Sequence, residues 1–188
     1  MTLAWSARTL ACALFAAELL TACSDGASTG SHANPAQASA RADAAATAIL
    51  GQTLPDLAGT PQSLGQWKGK VLVLNYWATW CPPCREEMPA FSRLHERFAP
   101  KGVQFVGISI DSPSKVKQFS EETPVAYPLL ISTMDTMQTL ADLGNVAQGL
   151  PFTVILDREG TLHSTKLGRY DEKSLEKRLQ ELLTGSGT

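Results

Sequence analysis

The chain has 188 residues, of which 44% are hydrophobic and 18% are charged. This composition is typical of a globular protein and supports one domain of ordinary size with a terminal extension. The net charge is −2 at pH 7 and no run of Lys or Arg occurs. The sequence therefore lacks the cluster of positively charged residues that is typical of a nucleic-acid-binding protein.

Residues 1–22 predict a secretory signal peptide, with Arg8 in the positive region ahead of a mostly apolar stretch. That stretch is too short and too interrupted to predict a transmembrane helix. The segment Leu20-Thr21-Ala22-Cys23 resembles the lipobox of bacterial lipoproteins. The resemblance implies cleavage before Cys23 and a lipid on its sulfur, and hence a membrane-anchored lipoprotein on the periplasmic or extracytoplasmic face. The alternative is an ordinary signal peptide cleaved at a nearby small residue.

Residues 23–48 predict a flexible tether, because they are rich in Ala, Ser and Gly and contain almost no large apolar residue. The folded domain is then expected to span residues 49–188. Its patterns predict, in chain order, a hairpin at 54–64, a strand at 70–76, a helix at 82–98, a strand at 103–110, a helix at 114–122, a strand at 127–131, a helix at 135–143, hairpin strands at 152–156 and 162–167, and a helix at 171–183.

This order of elements predicts an α/β fold with a central mixed β-sheet flanked by helices and an N-terminal β-hairpin extension. Parallel strands joined by helices come first, and an antiparallel hairpin comes last. The order of the strands within the sheet does not follow from the sequence.

The segment Cys81-Pro82-Pro83-Cys84 directly follows a buried-strand pattern and opens a helix. Cys81 is expected at the helix N-terminus, where free backbone N–H groups and the helix dipole favour its thiolate. Cys84 follows one helical turn later, close enough to attack a mixed disulfide formed on Cys81. The two prolines suit a first turn, because its N–H groups have no partner within the helix. The pattern predicts a redox-active dithiol.

Zinc sites and structural disulfides also use a Cys-x-x-Cys pair. Zinc needs four ligands, but no second pair of this kind exists, and His32, His95 and His163 are scattered without ligand spacing. A structural disulfide that closes so short a loop adds little stability. We therefore predict that the pair is redox-active and binds neither a metal nor a cofactor.

The segment from Asn75 to Pro89 resembles the TlpA/ResA-type branch of the thioredoxin superfamily, whose members are membrane-anchored, extracytoplasmic thiol-disulfide oxidoreductases. The similarity extends from about residue 51 to residue 183. It implies a thioredoxin-like fold in which Cys81 is the exposed nucleophile and Cys84 is the more buried resolving thiol. Gly149-Leu150-Pro151 takes the place of the cis-proline loop of that family.

The resemblance also implies roles for the neighbouring residues. If Pro151 is cis, the backbone of Leu150 lies beside the cysteines, where a substrate peptide can pair with it as an added strand. Asn75 stands where thioredoxins carry a buried Asp, and Asn cannot accept a proton. Glu87, one turn after Cys84, is then the expected catalytic acid, although it could equally be a solvated helix charge. The expected substrate contacts are Trp80, Pro82, Pro83, Leu150 and Pro151.

The leading functional hypothesis is a reductase that acts on disulfides of exported proteins, such as apocytochrome c or copper-site assembly proteins. Its partners would be protein thiols and disulfides and a membrane electron donor of the disulfide-reductase relay type. The alternatives are a dithiol oxidase or isomerase, a peroxiredoxin, and a copper-binding assembly factor of the Sco type. The last needs Cys-x-x-x-Cys and a distant His; the spacing here is one residue short, although His163 falls in the late hairpin.

The lipid anchor leads to a direct prediction. If Cys23 is acylated, the wild-type protein should fractionate with membranes and partition into detergent, because the acyl chains anchor it there. Replacing Cys23→Ala should release the protein or block its processing. A wild-type protein found soluble in the periplasm, with an N-terminus other than Cys23, would contradict the lipoprotein assignment.

Overall fold

A five-stranded sheet forms the centre of the protein in the computed structural model, which describes residues 35–185. Apart from helix α1, which was not predicted, the helices and strands follow the predicted order. The helices are α1 (Pro35–Leu50), α2 (Pro82–Phe98), α3 (Pro113–Glu122), α4 (Met134–Thr139) and α5 (Glu172–Thr184). The strands are β1 (Thr53–Pro55), β2 (Pro61–Ser63), β3 (Val71–Trp77), β4 (Val103–Ser109), β5 (Leu129–Ile131), β6 (Phe152–Leu156) and β7 (Leu162–Leu167).

The strand order in the main sheet is β5-β4-β3-β6-β7. β3 and β4 are parallel and in register from Val71 opposite Val103 to Trp77 opposite Ser109. β4 and β5 are also parallel, whereas β6 is antiparallel to β3 and β7 is antiparallel to β6. The predicted mixed sheet, with its antiparallel hairpin last, is confirmed.

Strand β3 lies in the middle of the sheet, and all seven of its residues are buried. Successive side chains of a strand point to opposite faces. Val71, Val73 and Trp77 therefore enter the core beneath α2, α3 and α5, while Leu72, Leu74 and Tyr76 enter the core beneath α1 and α4. Burial on both faces explains why the strand is almost entirely apolar, with Asn75 as its single polar residue.

The flexible tether predicted for residues 23–48 is wrong for its C-terminal half, because residues 35–50 form helix α1. Ala has the highest helix propensity, and an Ala-rich segment needs only a few apolar contacts to dock. Ala46 and Ile49 supply them: both are buried in one core cluster with Leu64, Met137 and Leu143. The folded domain thus begins at least fourteen residues before the predicted boundary at residue 49. The rest of the predicted tether, Cys23 and the signal peptide lie outside the described residues.

The predicted N-terminal hairpin is present as β1 and β2, which pair with each other and form a small sheet separate from the main one. The Asp56 carboxylate accepts hydrogen bonds from the backbone N–H groups of Ala58 and Thr60 and so closes the turn. A backbone bridge between Asp56 and Leu130 connects the hairpin to β5. Among the described residues, no helix is both long enough and apolar enough to cross a membrane.

The docking of α1 can be tested by removing its main apolar contact. Because Ile49 is 1% exposed, Ile49→Ala should lower the free energy of unfolding by about 2–4 kcal/mol, through lost burial and the cavity left behind. Arg41→Ala, on the exposed side of the same helix, should change it by less than about 0.5 kcal/mol. Urea denaturation measures both. Equal, negligible effects would mean that α1 does not belong to the folded domain.

Candidate active site

The Cys-x-x-Cys segment lies where β3 ends and α2 begins. Cys81 is the N-cap of α2 in an extended conformation, and Pro82 and Pro83 occupy the first positions of the helix. Cys81 and Cys84 form a disulfide with an S–S distance of 2.04 Å. The Cys81 residue is 4% exposed and Cys84 is completely buried. Cys81 is thus slightly more exposed than Cys84, but in this disulfide form it is buried and not exposed as the resemblance implies, because it packs in the same core cluster as Cys84.

The turn before Cys81 is anchored by a polar contact that the sequence does not predict. The Thr79 hydroxyl donates to the Asp111 carboxylate at 2.5 Å, and Lys115 pairs with the same carboxylate at 3.3 Å. Burial raises the pKa of Asp111, but hydrogen bonds from Thr79 and the Ser112 N–H, together with Lys115, outweigh it and hold the pKa below its usual range. Asp111 therefore stays charged and ties the active-site turn to the start of α3.

The residues expected to contact substrate surround this turn on two sides. Trp80 is 64% exposed, Pro82 is exposed and Pro83 is half-buried. The Leu150–Pro151 peptide bond is cis, as predicted. Phe152 pairs with Tyr76, which brings Pro151 to the end of β3 from which the chain continues to Cys81. Leu150 is half-buried and packs against the cluster that contains both cysteines.

Glu87 is buried, with 1% of the residue exposed, so it is not a solvated helix charge. Its carboxylate Oε1 accepts a hydrogen bond from the Asn75 side-chain amide, and Oε2 accepts one from the backbone N–H of Tyr170, both at 2.8 Å. The adjacent Glu86 is exposed and lies 3.8 Å from Arg169. Two consecutive glutamates of α2 thus contact two consecutive residues of the β7–α5 loop.

Burial raises the pKa of Glu87 from 4.5 to about 7, although hydrogen bonds from the Tyr170 N–H and Asn75 and the charge of Arg169 act in the opposite direction. A carboxyl with this pKa exchanges its proton near neutral pH. The Oδ1 atom of Asn75 is buried and has no hydrogen-bond partner. A rotation of the Asn75 amide would present Oδ1 to Glu87. Asn75 can therefore donate a hydrogen bond to the ionised carboxylate or accept one from the protonated carboxyl group. An Asp at this position could not donate to an ionised Glu87 unless it was itself protonated.

The two histidines among the described residues, His95 and His163, have their contacts elsewhere in the fold. His95 packs its ring against Phe105 and Tyr127 beneath α2. The pKa of His163 on β7 is lowered by burial and by Arg178. Between residues 35 and 185, no group of three or more His, Cys, Asp or Glu side chains is arranged to hold a metal ion.

A dithiol pair at the head of a helix, a mixed sheet of this strand order and a cis-proline beside the pair together define a thiol-disulfide oxidoreductase of the thioredoxin-like fold. The comparisons with known proteins agree with this class. Residues 46–168 match the model of the AhpC/TSA family. The chain belongs to that family, in its ResA- and YneN-like group of thiol-disulfide oxidoreductases.

Three similar proteins support this placement. The thioredoxin-like protein YneN of Bacillus subtilis is 36% identical over 138 residues, which cover 69% of this chain and 78% of YneN. The thiol-disulfide oxidoreductase ResA of Geobacillus kaustophilus is 28% identical over 130 residues, which cover 69% of this chain and 72% of ResA. The crystal structure of a thioredoxin-related protein from Neisseria meningitidis serogroup B superposes with a TM-score of 0.62 at 36% identity, covering 70% of this chain and 98% of that one.

The raised pKa of Glu87 predicts how stability depends on pH. Because the folded-state pKa of about 7 lies above the ordinary 4.5, the native state binds this proton more tightly than the unfolded state does. The resulting stabilisation is complete below pH 4.5 and is lost as the pH rises through 7. Relative to Glu87→Gln, the disulfide form of the wild type should therefore lose about 3 kcal/mol of unfolding free energy between pH 4.5 and pH 8.

Denaturant unfolding at several pH values measures this difference. Glu86→Gln is the matched control, since Glu86 is the exposed neighbour on the same helix, and its stability should follow the wild type across the pH range. If the unfolding free energies of the wild type and Glu87→Gln changed in parallel with pH, the pKa of Glu87 would not be raised in the folded state.

Proposed function

We propose that this enzyme is an extracytoplasmic disulfide reductase that acts on exported proteins through the Cys81–Cys84 pair. The observation that carries the proposal is the Cys81–Cys84 disulfide at the N-terminus of α2, with the buried carboxyl of Glu87 one turn further along the helix. The substrates that fit this chemistry are proteins whose cysteines must be reduced before they bind a cofactor, such as apocytochrome c or copper-site assembly proteins.

In the reduced enzyme, the Cys81 thiolate attacks one sulfur of the substrate disulfide. A Cys81–substrate disulfide forms, and the other substrate sulfur leaves as a thiolate that takes up a proton. Cys84 then attacks the Cys81 sulfur, which restores the Cys81–Cys84 disulfide and releases the second substrate thiol. Two electrons have passed to the substrate, so an outside dithiol must reduce the enzyme again. We assign that role to a membrane donor of the disulfide-reductase relay type.

Glu87 supports the second attack as a proton acceptor for Cys84. Cys84 is completely buried, and burial disfavours its thiolate unless a base removes the proton. Asn75, which contacts Glu87, cannot be that base. A carboxyl with a pKa of about 7 can accept the thiol proton near neutral pH. Because Tyr170 and Asn75 hold both carboxylate oxygens, the acceptor stays in one position.

The substrate is expected to bind across Trp80, Pro82, Pro83, Leu150 and Pro151. The exposed Trp80 offers an apolar surface beside the disulfide, and the backbone of Leu150 can pair with an extended peptide. A second surface is an open groove of about 390 Å³, which is lined by Pro82 and Phe119. The guanidinium of Arg85 lies 5.7 Å from the centre of the Phe119 ring within this groove.

The N-terminal sequence supports the proposed location. We propose that residues 1–22 direct export, and that a lipid on Cys23 anchors the domain to the membrane, because the lipobox-like segment ends at that cysteine. A membrane anchor would also keep the enzyme close to its electron donor.

The two cysteines should behave differently when each is replaced. Cys84→Ser should accumulate a mixed disulfide between Cys81 and a substrate protein, because no resolving thiol remains. Cys81→Ser should lose all disulfide reduction and should trap little, since the remaining Cys84 is buried. Non-reducing gel electrophoresis after mixing each reduced variant with insulin measures both outcomes. Equal trapping by the two variants would show that the roles are assigned wrongly.

The direction of electron transfer is decided by the reduction potential of the pair. Equilibration with glutathione mixtures measures it directly, and a reductase requires a value toward the thioredoxin end of the range, near −270 mV. A value near −120 mV, typical of a strong oxidant, would replace the reductase with the oxidase alternative. Copper titration of the reduced protein tests the assembly-factor alternative.

A further inference from the structure

The loop that precedes the cis-proline is organised by one buried side chain, Asn145. Asn145 is completely buried although it lies in a loop segment between Gly144 and Gly149. Gly144 has a φ of +93° and begins the change of direction, and Gln148 has a φ of +51°, which is uncommon for a residue with a side chain. A loop with two such positions needs specific contacts to hold its shape.

Asn145 provides these contacts with both ends of its amide group. The side-chain Oδ1 accepts a hydrogen bond from the N–H of Gly149 at 2.8 Å, and Nδ2 donates to the carbonyl oxygen of Gly149 at 3.1 Å. The backbone carbonyl of Asn145 also accepts from the N–H of Gln148 at 3.1 Å. Both backbone polar groups of Gly149 are therefore held by one side chain.

Gly149 is the residue immediately before Leu150, whose backbone is the proposed pairing site for the substrate. The C-terminal end of the segment Gly149-Leu150-Pro151 is also fixed, because the N–H of Gly168 donates a hydrogen bond to the carbonyl oxygen of Pro151 at 2.8 Å. Side-chain packing cannot align Gly149, since it has no side chain. A Cβ on Gly149 would lie 2.9 Å from the Leu167 side chain, so that side of the backbone is also closely covered.

We propose that Asn145 is a positioning residue for substrate recognition: by holding both backbone groups of Gly149, it presents the Leu150 backbone to a polypeptide substrate. Asn145 does not touch the reacting sulfurs in this assignment. It acts on the proposed pairing between substrate and Leu150, so the inference rests on that part of the proposed function. Ala cannot replace either hydrogen bond, and a hydroxyl is too short to replace both.

The assignment predicts a loss that depends on the substrate. Insulin offers a peptide backbone that can pair with Leu150, whereas hydroxyethyl disulfide has the reacting sulfurs and no peptide group. Asn145→Ala should lower the second-order rate constant for oxidation of the reduced enzyme by insulin about ten-fold, equivalent to about 1.4 kcal/mol of transition-state stabilisation. The rate constant with hydroxyethyl disulfide should stay within about two-fold of the wild type, because the cysteines keep their geometry.

Gln104→Ala is the matched control. Gln104 is also buried and donates its side-chain amide to a backbone carbonyl, that of Phe105, at 2.9 Å. It pairs with Leu72 near the start of β3, at the opposite end of the strand from Cys81. Its replacement removes a buried amide from the fold without affecting the Gly149 backbone. Both rate constants of this variant should change by less than about two-fold.

A measurement on the wild-type protein tests the contact without relying on the variant to fold. If Asn145 holds Gly149 persistently, the Gly149 amide should exchange its hydrogen at least about 100-fold more slowly than an open loop amide. Exchange at the open-loop rate would overturn the proposal. An equal fall of the insulin and hydroxyethyl disulfide rate constants in Asn145→Ala would also overturn it, and would leave Asn145 with a structural role only. A wild-type enzyme that fails to reduce insulin at all would instead contradict the proposed function.

Discussion

The structure depends on strand β3, which is covered on both faces and hydrogen-bonded along both edges. Its pairing with β4 and β6 fixes the direction in which the chain leaves the sheet after Trp77, and its alternating side chains fill the cores on both faces. A strand with no free edge and no exposed face can shift only if the whole core shifts with it. The Cys81–Cys84 pair, which follows the end of β3, is therefore attached to the most constrained part of the fold.

The site combines this rigid attachment with a buried polar network. Asn75 on β3, Glu87 on α2 and the Tyr170 N–H in the β7–α5 loop connect three elements through a single carboxyl group. A buried carboxyl costs stability when it is ionised, and the raised pKa of Glu87 reflects that cost. The same property makes the group able to exchange a proton near neutral pH. In the role that we propose for Glu87 as a proton acceptor, stability and chemistry place opposite demands on this residue.

Much of the fold could be predicted because its elements have strong local signals. The almost entirely apolar sequence of β3 correctly predicts a buried strand. The spacing of Met88, Phe91 and Leu94 correctly predicts helix α2, and the turn residues of the last hairpin correctly predict the turn between β6 and β7. Helix α1 could not be predicted with the same rules. Its apolar face consists mainly of small alanines and Ile49, and their burial depends on a complementary surface formed by Leu64, Met137 and Leu143 far along the chain.

For the site, the sequence by itself determined the Cys-x-x-Cys pair and the helix that begins at it, whereas the cis-proline loop was implied by the family resemblance. These features depend on neighbouring residues, since proline chemistry and helix ends are local properties. Three contacts were decided only by the tertiary structure. Glu87 is buried between Asn75 and Tyr170. Asp111 accepts a hydrogen bond from Thr79, and Asn145 binds both backbone polar groups of Gly149 through its side-chain amide. Except for the Asn145 loop, these contacts join residues distant along the chain. All of them depend on burial, which becomes defined only when the strands take their order in the sheet.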